Sequence, residues 1–94
     1  MFDAKVLESG DVMLSGRLDA SQVEKADEFL EQIVTSRTVS FRELEYISSA
    51  GLGILLKNQK RLKSNGCALK LVDLNKHIRD IFSFTGFDKI FEVE

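Results

Sequence analysis

The sequence predicts one α/β domain over residues 1–94, a mixed sheet of four to five strands with about three helices in the order β-β-α-β-α-β-α-(β). Three observations predict it. Short apolar runs alternate with longer amphipathic ones along the chain. Turn chemistry stands between them, with no proline and no low-complexity linker. The first two runs are close enough for a hairpin, whereas the later strands are separated by helices and so become parallel neighbours through right-handed crossovers.

Phe2 to Glu8 alternates, with Phe2, Ala4 and Val6 on one face, and Ser9-Gly10-Asp11 turns the chain into Val12–Gly16. Asp19, or Ser21 in its place, caps the next element. Val23, Ala26, Leu30, Ile33 and Val34 recur at helical spacing, with Glu24, Asp27, Glu28 and Glu31 opposite. Thr38–Phe41 reads as a short strand, and Leu44–Ile47 leads away from it. Ser48 or Ser49 caps a second helix, on which Leu52, Leu55, Leu56 and Leu62 share one face while Lys57, Lys60, Arg61 and Lys63 make the outside basic. Asn65-Gly66 stops it. Cys67–Val72 is a strand with Leu69 and Leu71 on one face. Asp73 or Asn75 starts a third helix, with Ile78, Ile81, Phe82 and Thr85 inward and Gly86 at its end. Ile90–Val93 is the last strand.

Composition excludes several functions. No apolar run approaches the length of a membrane span, which argues against membrane insertion. The start of the chain has no basic-then-apolar pattern, so a cytoplasmic location is expected. One cysteine makes no internal disulfide, and Cys67 reads as a small buried hydrophobe. A net charge of −2 provides no attraction to nucleic acid, and no aromatic interleaves the basic run of the second helix. The single histidine, His77, sits beside Lys76 and Arg79, where solvation explains it. There is no phosphate loop, no G-x-S-x-G elbow and no set of metal ligands. The chain therefore reads as a protein-binding module without cofactor, metal or catalytic residues. An enzyme reading has to rest on Ser49 and His77 alone.

The informative segment is Tyr46-Ile47-Ser48-Ser49-Ala50-Gly51-Leu52-Gly53. Two serines stand at a strand-to-helix junction, and two glycines follow in the first turns of the helix. Glycine there costs helix stability, which argues for close approach by a partner or a packed neighbour. The serines can serve merely as caps. The same free N–H groups and dipole also tolerate a phosphate.

Four motifs in order resemble those of the STAS domain family, of the bacterial anti-sigma factor antagonist type. Gly16-Arg17-Leu18-Asp19 resembles the family's G-x-L-D. Ser40–Ile47 resembles the strand leading to the switch, and Ile47–Gly53 resembles the D-S-[SA]-G-L-G switch itself. Phe84–Phe91 resembles the family's ending. The resemblance implies that Ser49, two before Gly51, is phosphorylated by a partner serine kinase of the ATPase-fold type, which is also the anti-sigma factor, and reset by a PP2C-type phosphatase. ATP and Mg²⁺ then belong to the kinase. Ser48 is a second candidate phosphosite, because it stands where the family often has aspartate; Ser40 likewise replaces an aspartate. The loop around Thr35-Ser36-Arg37 is short for the family. The implied docking surface comprises Arg17 and Asp19 from the second strand's end, Arg42 and Glu43 from the neighbouring turn, and Ser48, Ser49, Ala50, Gly51, Leu52 and Gly53. The alternative is a phosphorylation-independent STAS adaptor, such as a cytosolic accessory of a membrane transport complex.

Overall fold

In the computed structural model, which describes all residues from Met1 to Glu94, the elements follow the expected order. They are β1 (Phe2–Val6), β2 (Val12–Leu18), a 3-10 turn (Ala20–Gln22), α1 (Val23–Glu31), β3 (Arg37–Ile47), α2 (Ser49–Lys63), β4 (Leu69–Val72), α3 (Lys76–Thr85), a 3-10 turn (Phe87–Lys89) and β5 (Glu92–Val93). The five strands lie side by side in sequence order. β1 and β2 form the antiparallel hairpin, and β2, β3, β4 and β5 run parallel.

Pairing register decides which face is buried. Val12, Val39 and Leu71 fall in one row across β2, β3 and β4 and are fully buried. They join the inward residues of the three helices in one cluster of 21 side chains. Met13, Ser15, Thr38, Lys70 and Val72, on the opposite face, are only half-buried. Phe82 of α3 stands edge-on to Phe41 of β3 and to Phe91, with centroids 6.1 and 5.9 Å away, and this clamps the third helix onto the sheet. No helix is long and apolar enough to cross a membrane.

Several expectations change. β3 does not stop at Phe41 but runs on to Ile47 alongside β2, past two register irregularities, between Ser40 and Glu43 and between Leu44 and Tyr46. Each adds a residue to β3, and together they let one long strand stay paired where alternation alone reads a break. Arg42 and Glu43 are therefore exposed strand residues and not part of a turn. Helix α1 ends at Glu31, so Ile33 and Val34 lie beyond it; Ile33 is buried and Val34 is exposed. Arg61 is not part of the basic outside. Its guanidinium donates to the carbonyls of Leu30 and Ile33 at 3.0 and 2.9 Å, satisfying the open end of α1. Thr85 is exposed, and its hydroxyl bonds back to the Ile81 carbonyl at 2.9 Å. β4 starts at Leu69, leaving Cys67 half-buried before the strand.

Two polar residues on α2 are buried inside this frame. Gln59 accepts from the Leu69 N–H at 2.8 Å and donates to the Ile90 carbonyl at 3.2 Å, tying α2 to the amino ends of both β4 and β5. Asn58 donates to Asp27 at 3.0 Å, and Lys57 donates to the same carboxylate at 2.5 Å. The Lys57 hydrogen bond holds the Asp27 carboxyl below the ordinary carboxylate range, and Asp27 in turn raises Lys57. The two helices that carry and flank the serine junction are thus latched together.

Candidate functional site

The site is the carboxyl edge of β2 and β3, where α2 begins. Leu18 and Ile47 are register partners, and the Ser48 N–H donates to the Leu18 carbonyl at 2.9 Å, so the two strands end together. In a parallel sheet this edge is where helix N-termini converge and where ligands and partners are met.

The two serines divide the work. Ser48 has extended backbone, and its hydroxyl accepts from the Gly51 N–H at 3.1 Å, which makes it the N-cap. Its carbonyl accepts from the Leu52 N–H at 2.9 Å, beginning the helical ladder. Ser49 is the first helical residue and is exposed, as is Ala50 after it. The N–H groups of Ser49 and Ala50 therefore remain at the open, positive end of the helix.

The two glycines also differ. Gly51 is buried, and a Cβ on it would stand 2.9 Å from Leu18 Cγ and 3.0 Å from Ile47 Cγ1. It is glycine so that the first turn of α2 can lie flat on the ends of β2 and β3, not to leave room for a partner. Leu52 turns into the core beside it. Gly53 is exposed with nothing within 4 Å of its Cβ position, so it alone leaves the helix surface bare.

The flanks come from the ends of β2 and β3 and the turn after β2. Arg17 and Tyr46 are register partners, and the guanidinium lies over the Tyr46 ring at 4.4 Å from its centroid. Tyr46 was not among the expected site residues. Its place two before the cap, on the strand next to Arg17, is the signal that could have found it. Asp19 accepts from the Ser21 N–H at 3.0 Å and its hydroxyl at 2.6 Å, and that hydroxyl bond is the main reason its carboxyl titrates below the ordinary range. Asp19 rather than Ser21 is thus the capping side chain of the 3-10 turn. Upstream, Gly16 adopts φ +83°, and a Cβ there would meet the Met1 carbonyl oxygen at 1.9 Å. The first motif's glycine is required by backbone contact and strained geometry, not by a ligand.

Arg42 and Glu43 stand further off. Glu43 pairs with Ser15, roughly 15 Å back along β3 from Ser48 at the usual strand rise. The Arg42 N–H donates to Ser40 Oγ at 3.2 Å, and that hydroxyl donates to Asp73 at 3.4 Å, with Asp73 itself at φ +61°. Asp73 follows β4 at the carboxyl edge and supplies a carboxylate next to Ser40. His77 is exposed in the first turn of α3.

The fold and this junction define a small domain in which the start of α2 is displayed and not enclosed. The chain belongs to the STAS domain family: the family model described as "Mlab, STAS domain" matches residues 1–92. It is similar to the anti-sigma-B factor antagonist of Listeria monocytogenes, with 28% identity over 88 residues, 89% of this chain and 77% of that one. It is also similar to BtrV of Bordetella bronchiseptica, with 44% identity over 50 residues, 53% of this chain and 43% of that one. The match thus spans less than half of BtrV. Among solved structures, the Bacillus protein SpoIIAA superposes with a TM-score of 0.72 in its phosphorylated form, at 20% identity, covering 100% of this chain and 91% of that one. Its unphosphorylated form gives 0.74 at 23% identity, covering 100% and 88%.

Proposed function

We propose that the chain is an anti-sigma factor antagonist whose binding is switched off by phosphorylation of Ser49. The observation that carries this reading is the division between the serines. The Ser48 hydroxyl is occupied by the cap, whereas Ser49 is exposed beside two free N–H groups. The names of the relatives and the existence of a phosphorylated SpoIIAA support it.

In this reading the unmodified chain binds an anti-sigma factor that is also a serine kinase, and so frees the sigma factor. The kinase transfers the γ-phosphoryl of ATP to Ser49 Oγ, releasing ADP, and takes the hydroxyl proton. The antagonist supplies only the acceptor and performs no catalysis. A phosphate adds about −1.5 to −2 charges, which the helix N-terminus stabilises within the chain but which a covering partner has to desolvate. A PP2C-type phosphatase restores the hydroxyl. The docking surface centres on Ser49, Ala50 and Gly53, with Ser48, Arg17 and Asp19 beside it. An interface of ordinary size, about 800 Å² per partner, reaches Arg42 and Glu43 at its rim. Gly51 and Leu52 contribute by holding the turn in place.

The second reading, a STAS adaptor that binds without phosphorylation as an accessory of a membrane transport complex, has the uncharged Ser48 on its side. Incubating the chain with candidate kinases and ATP, then weighing it intact and mapping phosphopeptides, separates the two. The switch reading expects one added phosphate, on Ser49. Partner capture from the source cell with no phosphate uptake supports the adaptor, and phosphate on Ser48 reverses the assignment of the serines.

A further inference from the structure

β1 is an edge strand of the sheet, paired only with β2. The hairpin register pairs Phe2 with Gly16, Ala4 with Leu14 and Val6 with Val12. Its backbone bonds, among them Arg17 N–H to the Met1 carbonyl and Leu7 N–H to the Asp11 carbonyl, both at 2.8 Å, belong to the odd-numbered residues. Antiparallel ladders alternate, so the N–H and C=O groups of Phe2, Ala4 and Val6 point outward, away from β2. We propose that this edge pairs antiparallel with β1 of a second copy about a two-fold axis at Ala4, extending one five-stranded sheet into another.

Three features fit that occupant. An axis at Ala4 sets Phe2 opposite the second copy's Val6, so the outward amides of Phe2, Ala4 and Val6 all meet partners. The same register sets Asp3 opposite the second copy's Lys5, and Lys5 opposite its Asp3. Both are exposed, and opposite charges directly across a ladder favour pairing. Parallel pairing in register sets Asp3 against Asp3 and Lys5 against Lys5, so the charges select the two-fold arrangement. Finally, Val6 is 57% exposed although it lies on the core side of the sheet, while a hollow of about 210 Å³ opens beside Phe2 and Ala4, under Lys25, Glu28 and Phe29 of α1 and Gln32 just after it. Paired residues share a face, so the second copy's Val6, next to Phe2, enters that hollow and buries its isopropyl group.

Lys25 guards the edge. Its ammonium donates to the Phe2 carbonyl at 2.7 Å and has to release it for the strands to pair. The paired surface is small, so the dimer is weak and reversible. Because the strands run antiparallel, the two Ser49 junctions face opposite ends of the joined sheet, and each stays open to its own partner.

Sedimentation velocity of the whole chain at low salt, from about 10 µM to about 1 mM, tests this in the range where such weak contacts form. Reversible dimerisation is expected. Asp3→Lys acts twice in a two-fold dimer and weakens it about tenfold or more, by removing an attraction and adding a like-charge pair at each site. The double variant Asp3→Lys with Lys5→Asp restores the affinity to within about threefold, because the opposition is merely reversed. Lys25→Ala leaves dimerisation at least as strong. All the substituted side chains are exposed, and circular dichroism checks that each variant folds. A monomer at every concentration, or a dimer whose affinity Asp3→Lys leaves unchanged, overturns the proposal.

Discussion

Helices α2 and α3 both begin at the carboxyl edge of the parallel strands, and both are capped by a polar side chain that accepts from the third residue's N–H. Ser48 holds Gly51 at 3.1 Å, and Asn75 holds Ile78 at 2.9 Å. Beyond the cap the two starts diverge. In α3 the first turn is Lys76-His77-Ile78: the lysine is paired with Asp80 at 3.0 Å, and Ile78 is fully buried as a plug into the core. In α2 the first turn is Ser49-Ala50-Gly51, with no charge and no long side chain, and its third residue is a glycine pressed against Leu18 and Ile47. Identical capping physics thus yields one helix start anchored by a side chain and one laid flat by the lack of one. The flat start leaves Ser49 and Ala50 as its outer surface, which is what a modification site read by a partner requires.

Substitutions at matched positions break this comparison in opposite ways. Ile78→Ala empties a core site and should lower stability by about 2–5 kcal/mol in urea denaturation. Gly51→Ala overfills its site, because the new methyl has only side-chain atoms of Leu18 and Ile47 to displace, and should cost about 1–3 kcal/mol. A Gly51→Ala variant as stable as the parent would show that the turn is not held by this contact. The caps come next. Ser48→Ala and Asn75→Ala should each cost about 0.5–2 kcal/mol. Asn75→Ala should be the larger loss, since its amide also donates to the Leu44 carbonyl at 3.3 Å. Ser48→Ala should leave phosphate uptake on Ser49 intact, as phosphopeptide mapping will report. The smallest effect has the opposite sign. Gly53 is exposed in the interior of α2 with open space at its Cβ position, so Gly53→Ala should stabilise the chain by about 0.5–1 kcal/mol in the same denaturation assay. A loss of stability there would mean that Gly53, like Gly51, is packed.

Much of this was legible in the residues. The hairpin, the strand–helix alternation and the stop at Gly86 follow from local spacing and turn chemistry, which act over a few residues. The same chemistry narrows each cap to two nearby candidates, and the structure selects Asp19, Ser48 and Asn75. What local pattern could not supply is what depends on a distant segment. The length of β3 rests on two register irregularities against β2. Arg61 reads as a surface cation until the end of α1 is seen beneath it, and Gln59 reads as surface polar until the Leu69 N–H is found pointing at it. The glycine pair shows the same limit. Both glycines signal close approach, but only the neighbouring strand ends reveal that Gly51 serves the fold and Gly53 the surface.

The central claim is that a phosphate on Ser49 controls partner binding while the fold stays as it is. Its most direct measure is the affinity of the anti-sigma factor partner for the unmodified chain, the Ser49-phosphorylated chain and Ser49→Ala, each with its amide spectrum recorded. Phosphorylation should weaken binding by about tenfold or more, equivalent to at least about 1.4 kcal/mol, with amide shifts confined to the neighbourhood of Ser49 and Arg17 and with Ser49→Ala binding as the unmodified chain does. Equal affinity for all three forms, or binding lost only together with shifts spread across the sheet and α3, would contradict it.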